Sequence, residues 1–214
     1  RVNESEAIAF LGTHDNYIIF THNSPDGDTV GSAIALVIAL RHMGKTAWAY
    51  SREGVPERLS FLCHEAYFVP SLPEELTGYT LVSVDVASPK MLSLPEAEYM
   101  FDLSIDHHQV NTVYCERLYL CDSYIAAGEI VYELVEKMGT PMTAELALPL
   151  YTAICSDSGG FRYQATRPAT MYAAGRLMET GIDFARINRL LFENKTKAQI
   201  AMEALAYKKL EYFY

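Results

Sequence analysis

Between residues 21 and 32 the chain reads THNSPDGDTVGS, which brings His22, Asp26 and Asp28 close together in sequence. Three further groups of the same kind follow: Asp85 in VDVAS, Asp106-His107-His108 in DHHQVN, and Asp157 in SDSGG. Carboxylates packed closely repel one another, so a cluster of them implies positive charge in its midst. Oxygen and imidazole donors without a thiolate are a hard ligand set that suits Mn(II) or Mg(II). Formal charge argues for two ions, because two divalent cations cancel the charge of Asp26, Asp28, Asp85 and Asp157. Two such ions roughly 3.5–4 Å apart stabilise both the attacking and the leaving oxygen in a displacement at phosphorus and lower the pKa of bound water.

Most of these groups also have a plainer reading, though adjacent His107 and His108 after Asp106 are harder to explain that way. His22 alone reads as a hydrogen-bonded structural histidine. Asp26-Gly27-Asp28 reads as a turn and the cap of the next helix, with Asp28 at the positive end of the helix dipole. Asp85 can be a satisfied group at the end of a strand, although an unpaired charge among Leu and Val is costly. SDSGG can be only a glycine-rich turn. DGDTV also fits the D-x-D-x-[TV] pattern of haloacid-dehalogenase-type phosphatases, in which the first aspartate, here Asp26, is a covalent nucleophile. That pattern ordinarily follows its strand directly. Here THNSP intervenes, and the paired histidines would have no task.

Elements that alternate along the chain must position these residues. YIIF at 17–20 is an unbroken apolar run, the pattern of a strand covered on both faces. Further strands are expected within 46–51, 80–88, 99–108 and 113–121, the last more exposed. Helices are expected over 5–11, from Thr29 to Met43 with Gly44 as a C-terminal cap, from Ala126 to Met138, from Thr143 to Cys155 and from Pro168 to Met178. Strands alternating with helices predict an α/β fold with a mainly parallel β-sheet flanked by helices. In such sheets ligands bind beyond the carboxyl ends of the strands. The acidic clusters follow those ends and therefore converge on one edge. Residues 182–214, with apolar positions at Ile200, Leu205, Leu210 and Phe213, read as a connecting helix that runs to Tyr214 without a cap.

The chain has 214 residues, 50% of them hydrophobic, which suffices for one sizeable core. A net charge of −10 disfavours long-range grip on duplex nucleic acid. A small phosphate ligand remains compatible if a local site supplies positive charge. Cys63, Cys115, Cys121 and Cys155 form no C-x-x-C pair and read as reduced, largely buried thiols of a cytoplasmic protein. The opening residues show no signal peptide, no apolar run is long enough for a membrane span, and the chain starts at Arg1 as a trimmed chain would.

The ordered motifs HNSPDGD, VDVAS, DHH and SDSGGFRY resemble those of DHH phosphoesterases. PDGDTVGS, DHHQVN and GGFRY are most similar to the bacterial branch that degrades very short oligoribonucleotides and dephosphorylates 3′-phosphoadenosine 5′-phosphate (pAp). The resemblance covers roughly residues 5–190. It implies a catalytic domain over 1–190 and a linker helix over 191–214 leading to a DHHA1-type domain, whose GGGH-type stretch does not occur here. It also implies that His22, Asp26 and Asp85 bind one metal, and that Asp28, Asp85, His107 and Asp157 bind the other, with Asp85 bridging. His108 would face the phosphate as an acid or electrophile, and Asp106 would orient an imidazole. Asn111 and Arg162 would contact phosphate, although a surface ion pair explains Arg162 equally well. The implied chemistry is attack of metal-activated hydroxide on phosphorus in a short oligoribonucleotide or nucleotide. Membrane and duplex nucleic acid are not expected as partners, and a homodimer is one assembly open to the chain. Two alternatives stay open: a family II-like inorganic pyrophosphatase, and a metal-dependent nucleotide-binding domain without catalysis.

Overall fold

The computed structural model describes residues 1–62, 64–92, 94 and 100–211. Cys63, Tyr99, Phe213 and Tyr214 therefore lie outside the described residues.

A five-stranded sheet forms the centre: β1 (Tyr17–Phe20), β2 (Ala47–Tyr50), β3 (Thr80–Val84), β4 (Phe101–Asp106) and β5 (Cys115–Leu120). All neighbours run parallel, in the order β2-β1-β3-β4-β5. The helices are α1 (Glu4–Thr13), α2 (Gly27–His42), α3 (Ala127–Lys137), α4 (Ala144–Asp157), α5 (Pro168–Met178), α6 (Phe184–Phe192) and α7 (Lys197–Lys208). The mainly parallel α/β fold read from the alternation is the fold observed.

β1 and β3 are buried along their whole length, as unbroken apolar runs require, whereas β2 and β5 are edge strands with exposed positions. On one face of the sheet Tyr17, Ile19, Val82 and Val84 pack into the larger core with α2, α3 and α4. On the other, Ile18, Phe20 and Leu81 pack with Val86, Leu92 and Leu118 beneath non-helical chain and a short 3-10 turn, Pro89–Leu92. Among the described residues, the helical cover is therefore concentrated on one side.

The strand order is what opens the site. Tyr17 pairs with Ala47 on one side and with Thr80 on the other, so the chain leaves β1 in opposite directions to reach β2 and β3. A crevice forms beyond the carboxyl ends of such diverging strands. His22 follows β1 there and Asp85 follows β3.

α2 is buried from Gly27 to Leu40, so it lacks the polar stripe of a surface helix. It packs very closely on α4. A Cβ at Gly31 would stand 2.4 Å from the Pro149 carbonyl oxygen and 3.0 Å from the Ala153 Cβ. Glycine is needed there for close approach rather than for its backbone freedom.

The C-terminal segment differs from the single connecting helix expected over 182–214. Ile187 of α6 is buried in the larger core, and Leu191 and Phe192 pack against it. Thr196 then caps a separate helix: its side chain accepts the Gln199 N–H and the Gln199 side chain accepts the Thr196 N–H. This capping box nucleates α7 afresh, and α7 has no buried residue. Cys115 and Cys155 are buried free thiols, and Cys121 is a partly exposed one. Among the described residues, no helix is long and apolar enough to cross a membrane.

Candidate metal centre

Each part of the site is built by the end of an element. Asp26 is the N-cap of α2, its Oδ1 accepting the Asp28 and Thr29 N–H groups at 3.0 and 3.1 Å. The helix thus begins at Gly27, two residues before the expected Thr29, and its cap is Asp26; the same residue also reaches the cluster, its Oδ1 standing 3.7 Å from His22 Nε2. The Thr29 hydroxyl joins the two strands of the crevice. It accepts the His22 N–H at 3.3 Å and donates to the Val84 carbonyl at 3.1 Å.

Asp28 is fully buried and tied on three sides. It accepts the Ala127 and Gly128 N–H groups at 2.7 and 2.8 Å and the Ser32 hydroxyl at 3.1 Å. A carboxylate from α2 thereby caps α3, whose own N-cap, Ala126, has no side chain to do so. Gly128 permits this approach: a Cβ there would stand 2.4 Å from the Ala153 Cβ and 3.3 Å from Asp28 Oδ1.

Asp85 sits at the centre. It is 2% exposed and adopts φ +60°, a left-handed conformation that a non-glycine residue holds only where its surroundings impose it. Its Oδ2 lies 3.3 Å from His22 Nε2, and its Oδ1 lies 3.2 Å from His107 Nε2. Oδ1 is nonetheless a buried oxygen without an aligned hydrogen-bond donor. A buried carboxylate oxygen in that state is costly, and a cation settles it.

The histidines share a design. His22 Nδ1 contacts the Asn23 carbonyl at 2.6 Å, and His107 Nδ1 contacts the Tyr124 carbonyl at 3.2 Å. A carbonyl only accepts, so Nδ1 carries the hydrogen and Nε2 is left to face the carboxylates. His107 Nε2 is also 3.7 Å from Asp28 Oδ2 and 3.7 Å from Asp157 Oδ2. His108 is held differently, by a carboxylate: its Nδ1 lies 2.7 Å from Asp106 Oδ1. Asp106, buried at the end of β4, also accepts the His107 N–H at 2.9 Å and the Asn111 amide at 2.7 Å. Asn111 donates in addition to the Val86 carbonyl at 3.2 Å.

Three sets of side chains each converge tightly enough to hold an ion: His22, Asp26 and Asp85; Asp28, His107 and Asp157; and Asp85, His107 and His108. The six residues expected as metal ligands are therefore together, and Asp106 stands behind them. Arg162 is placed otherwise. Its Nε donates to the Gly159 carbonyl at 2.5 Å and its guanidinium lies over the Phe192 ring at 5.4 Å. SDSGG is also a real turn, with φ +59° at Gly159 and +70° at Gly160.

The carboxylates raise the proton affinity of the groups among them. Burial pulls the His22 pKa down, but hydrogen bonds to Asp26 and Asp85 outweigh it and carry it to about 11. For His107 burial is likewise overcome, by Asp85 and the charges of Asp28 and Asp157, and the pKa rises to about 10. Burial and the Asp85 and Asp26 charges push Asp157 up to about 7, and burial with Asp85 and Asp157 raises Asp28. Burial raises Asp106, but His108 and Asn111 override it and hold the carboxyl low. The hydrogen bond to Asp106 raises His108. Four carboxylates with this demand for positive charge, one orphaned oxygen and hard donors throughout fit divalent metal ions.

Thr29, Ser32, the Tyr124 carbonyl and the 127–128 amides carry almost no signal in the sequence. Only DGDTVGS, with its hydroxyls one helical turn apart, hints at two of them.

The family model described as DHH family, N-terminal domain, matches residues 16–154. The chain is 34% identical over 176 residues to the bifunctional oligoribonuclease and PAP phosphatase NrnA of Thermus thermophilus, across 81% of this chain and 53% of that protein. It is 25% identical to a protein of Streptococcus agalactiae named probable manganese-dependent inorganic pyrophosphatase, across 76% of this chain and 54% of the relative. The chain thus spans about half the length of either relative. Among solved structures, an exopolyphosphatase-related protein from Bacteroides fragilis superposes with a TM-score of 0.86 at 19% identity, over 98% of this chain and 66% of that one. That likeness concerns the fold.

Proposed function

The chain belongs to the DHH family, and on that premise we propose that it is the catalytic domain of a metal-dependent phosphoesterase acting on short oligoribonucleotides, pAp, or both. The observation that carries the reading is Asp85: buried, conformationally strained, with one orphaned oxygen and each oxygen turned to a different histidine. His22, Asp26 and Asp85 would hold one divalent ion, and Asp28, Asp85, His107 and Asp157 the other, with Mn(II) favoured over Mg(II). When bound, such ions supply the charge that stabilises the attacking and leaving oxygens at phosphorus and lower the pKa of water.

The chain's own residues then have separate tasks. Nδ1–H donation to the Asn23 and Tyr124 carbonyls keeps the Nε2 atoms of His22 and His107 aimed at the carboxylates. Asp106 holds His108 by Nδ1, which leaves Nε2 to give a proton to a leaving oxygen. His108 is also the most exposed of these imidazoles, its side chain 37% accessible, as a group that meets substrate must be. Asn111 keeps Asp106 in place. The free thiols Cys115, Cys121 and Cys155 support a cytoplasmic location.

A second reading, inorganic pyrophosphatase, is favoured by the likeness to the Streptococcus agalactiae protein. The test is hydrolysis of a pApA dinucleotide, pAp and pyrophosphate with saturating Mn(II), for the wild type and Asp85→Asn. Turnover of the first two, lost in the variant, supports the proposal. Turnover of pyrophosphate alone selects the second reading.

A further inference from the structure

Glu129 of α3 is 1% exposed and makes none of the direct contacts of the cluster. Its Oε2 accepts the Ile125 N–H at 3.2 Å. Its Oε1 accepts Arg167 Nη2 and the Thr170 hydroxyl, both at 2.9 Å. Ile125 N–H and the Tyr124 carbonyl belong to one peptide group, and that carbonyl receives His107 Nδ1 at 3.2 Å. Glu129 and His107 therefore hold opposite ends of the same peptide.

We infer that Glu129 is a positioning residue for metal binding, acting on His107 through the 124–125 peptide. This rests on the reading of His107 as a metal ligand. A peptide group is planar, so fixing its N–H fixes the direction of its C=O. A carboxylate at the N–H also polarises the group and makes the carbonyl a stronger acceptor, as linked hydrogen bonds do. The stronger the acceptor at Nδ1, the more electron-rich and the better oriented Nε2 becomes.

Three surrounding facts show that the arrangement is built. Arg167 neutralises Glu129 and also lies over the Tyr124 ring at 4.2 Å, pinning the residue whose carbonyl is used. The Tyr124 hydroxyl donates to Glu133 Oε2 at 2.8 Å, which fixes that ring from its far end. The same segment supplies the Ala127 and Gly128 N–H groups to Asp28, so two members of one ligand set depend on residues 124–128. A cap made only to satisfy α3 would reach the Ala126 N–H, as the third residue of a helix does in a capping box. Glu129 reaches one residue further back, to the peptide that His107 uses.

The experiment is calorimetric Mn(II) titration of the metal-free protein, with its thermal midpoint measured in parallel, for the wild type, Glu129→Gln, Val131→Ala and His107→Ala. Gln keeps the size of Glu and removes its charge. Val131 is buried in the same helix, and its truncation serves to lower stability while leaving the Glu129 carboxylate in place. Glu129→Gln is expected to weaken Mn(II) binding by about tenfold, within the range for a lost partner behind a ligand. Val131→Ala lowers the midpoint yet changes affinity by less than about twofold, the change that would be expected of a merely structural role. Should Glu129→Gln not fold, the Glu129→Gln/Arg167→Gln pair removes both charges together and carries the same expectation. Wild-type affinity in the Glu129 variant, with affinity lost in His107→Ala, overturns the inference alone. Unchanged affinity in His107→Ala overturns the ligand assignment as well.

Discussion

Gly31→Ala tests how closely the helix seam and the metal centre are linked. The new Cβ would stand 2.4 Å from the Pro149 carbonyl oxygen, about 1 Å inside ordinary contact. The obstacle is backbone, so no side-chain rotation relieves it, and α2 and α4 must separate. Two effects oppose each other. Alanine gains about 1 kcal/mol over glycine in helix propensity. Overpacking a filled core costs about 1–3 kcal/mol, and a backbone clash belongs at the upper end. The net loss is about 1–2 kcal/mol, or a fall in Tm of about 2–8 °C for a domain of this size. Asp26 and Asp28 ride on the start of α2 and Asp157 on the end of α4, so separating the helices also pulls the ligand set apart. A displacement of that order costs about 10²-fold in turnover. The matched control is Gly175→Ala in α5, where a Cβ meets nothing within 4 Å. There only the propensity gain remains, and Tm should rise by about 1–4 °C. The assay is scanning calorimetry of both metal-free variants, followed by Mn(II) titration. Wild-type stability and affinity in Gly31→Ala would refute the reasoning, and so would an equal loss in Gly175→Ala.

The two adjacent histidines should separate: His107→Ala lowers Mn(II) occupancy measured by elemental analysis, whereas His108→Ala keeps the metal and slows turnover by about 10²–10⁴-fold. Equal metal loss in both would remove that division. Asn111→Ala should lower kcat by about tenfold with KM and metal content unchanged, because Asn111 holds Asp106. A rise in KM alone would instead make Asn111 a substrate contact. Stability of the metal-free protein should fall with rising pH. His22 and His107 titrate near 11 and 10 instead of 6.5, so the stability they contribute is complete below pH 6.5 and lost towards those values. Asp157, raised from 3.8 to about 7, acts in the same direction at lower pH. Tm recorded from about pH 6 to pH 10 should therefore decline without metal and hold far flatter with saturating Mn(II). A rising metal-free profile contradicts the arrangement of protons described above.

Much of this was determined by the sequence alone, because it depends on local pattern. YIIF at 17–20 is one strand to the residue, since four apolar side chains in succession require cover on both faces. The donor types at His22, Asp26, Asp28, Asp85, His107 and Asp157 are those that suit a hard cation, because ligand chemistry resides in the side chains themselves. The order of the strands did not follow from pattern. Placing β3 on the opposite side of β1 from β2 is what opens the crevice and sets Asp85 beside His22, and it is decided by packing across the sheet. The C-terminal segment forms two helices for a related reason. Apolar spacing continued through it, but Ile187 found a place in the core while α7 had none, and the Thr196 cap divided the two. Tertiary structure alone decided the partners behind the ligands. Asp28 caps α3 about a hundred residues away, and Glu129 reaches His107 through a peptide that neither residue owns. Contacts of that kind depend on where two backbones pass each other, which no local spacing records.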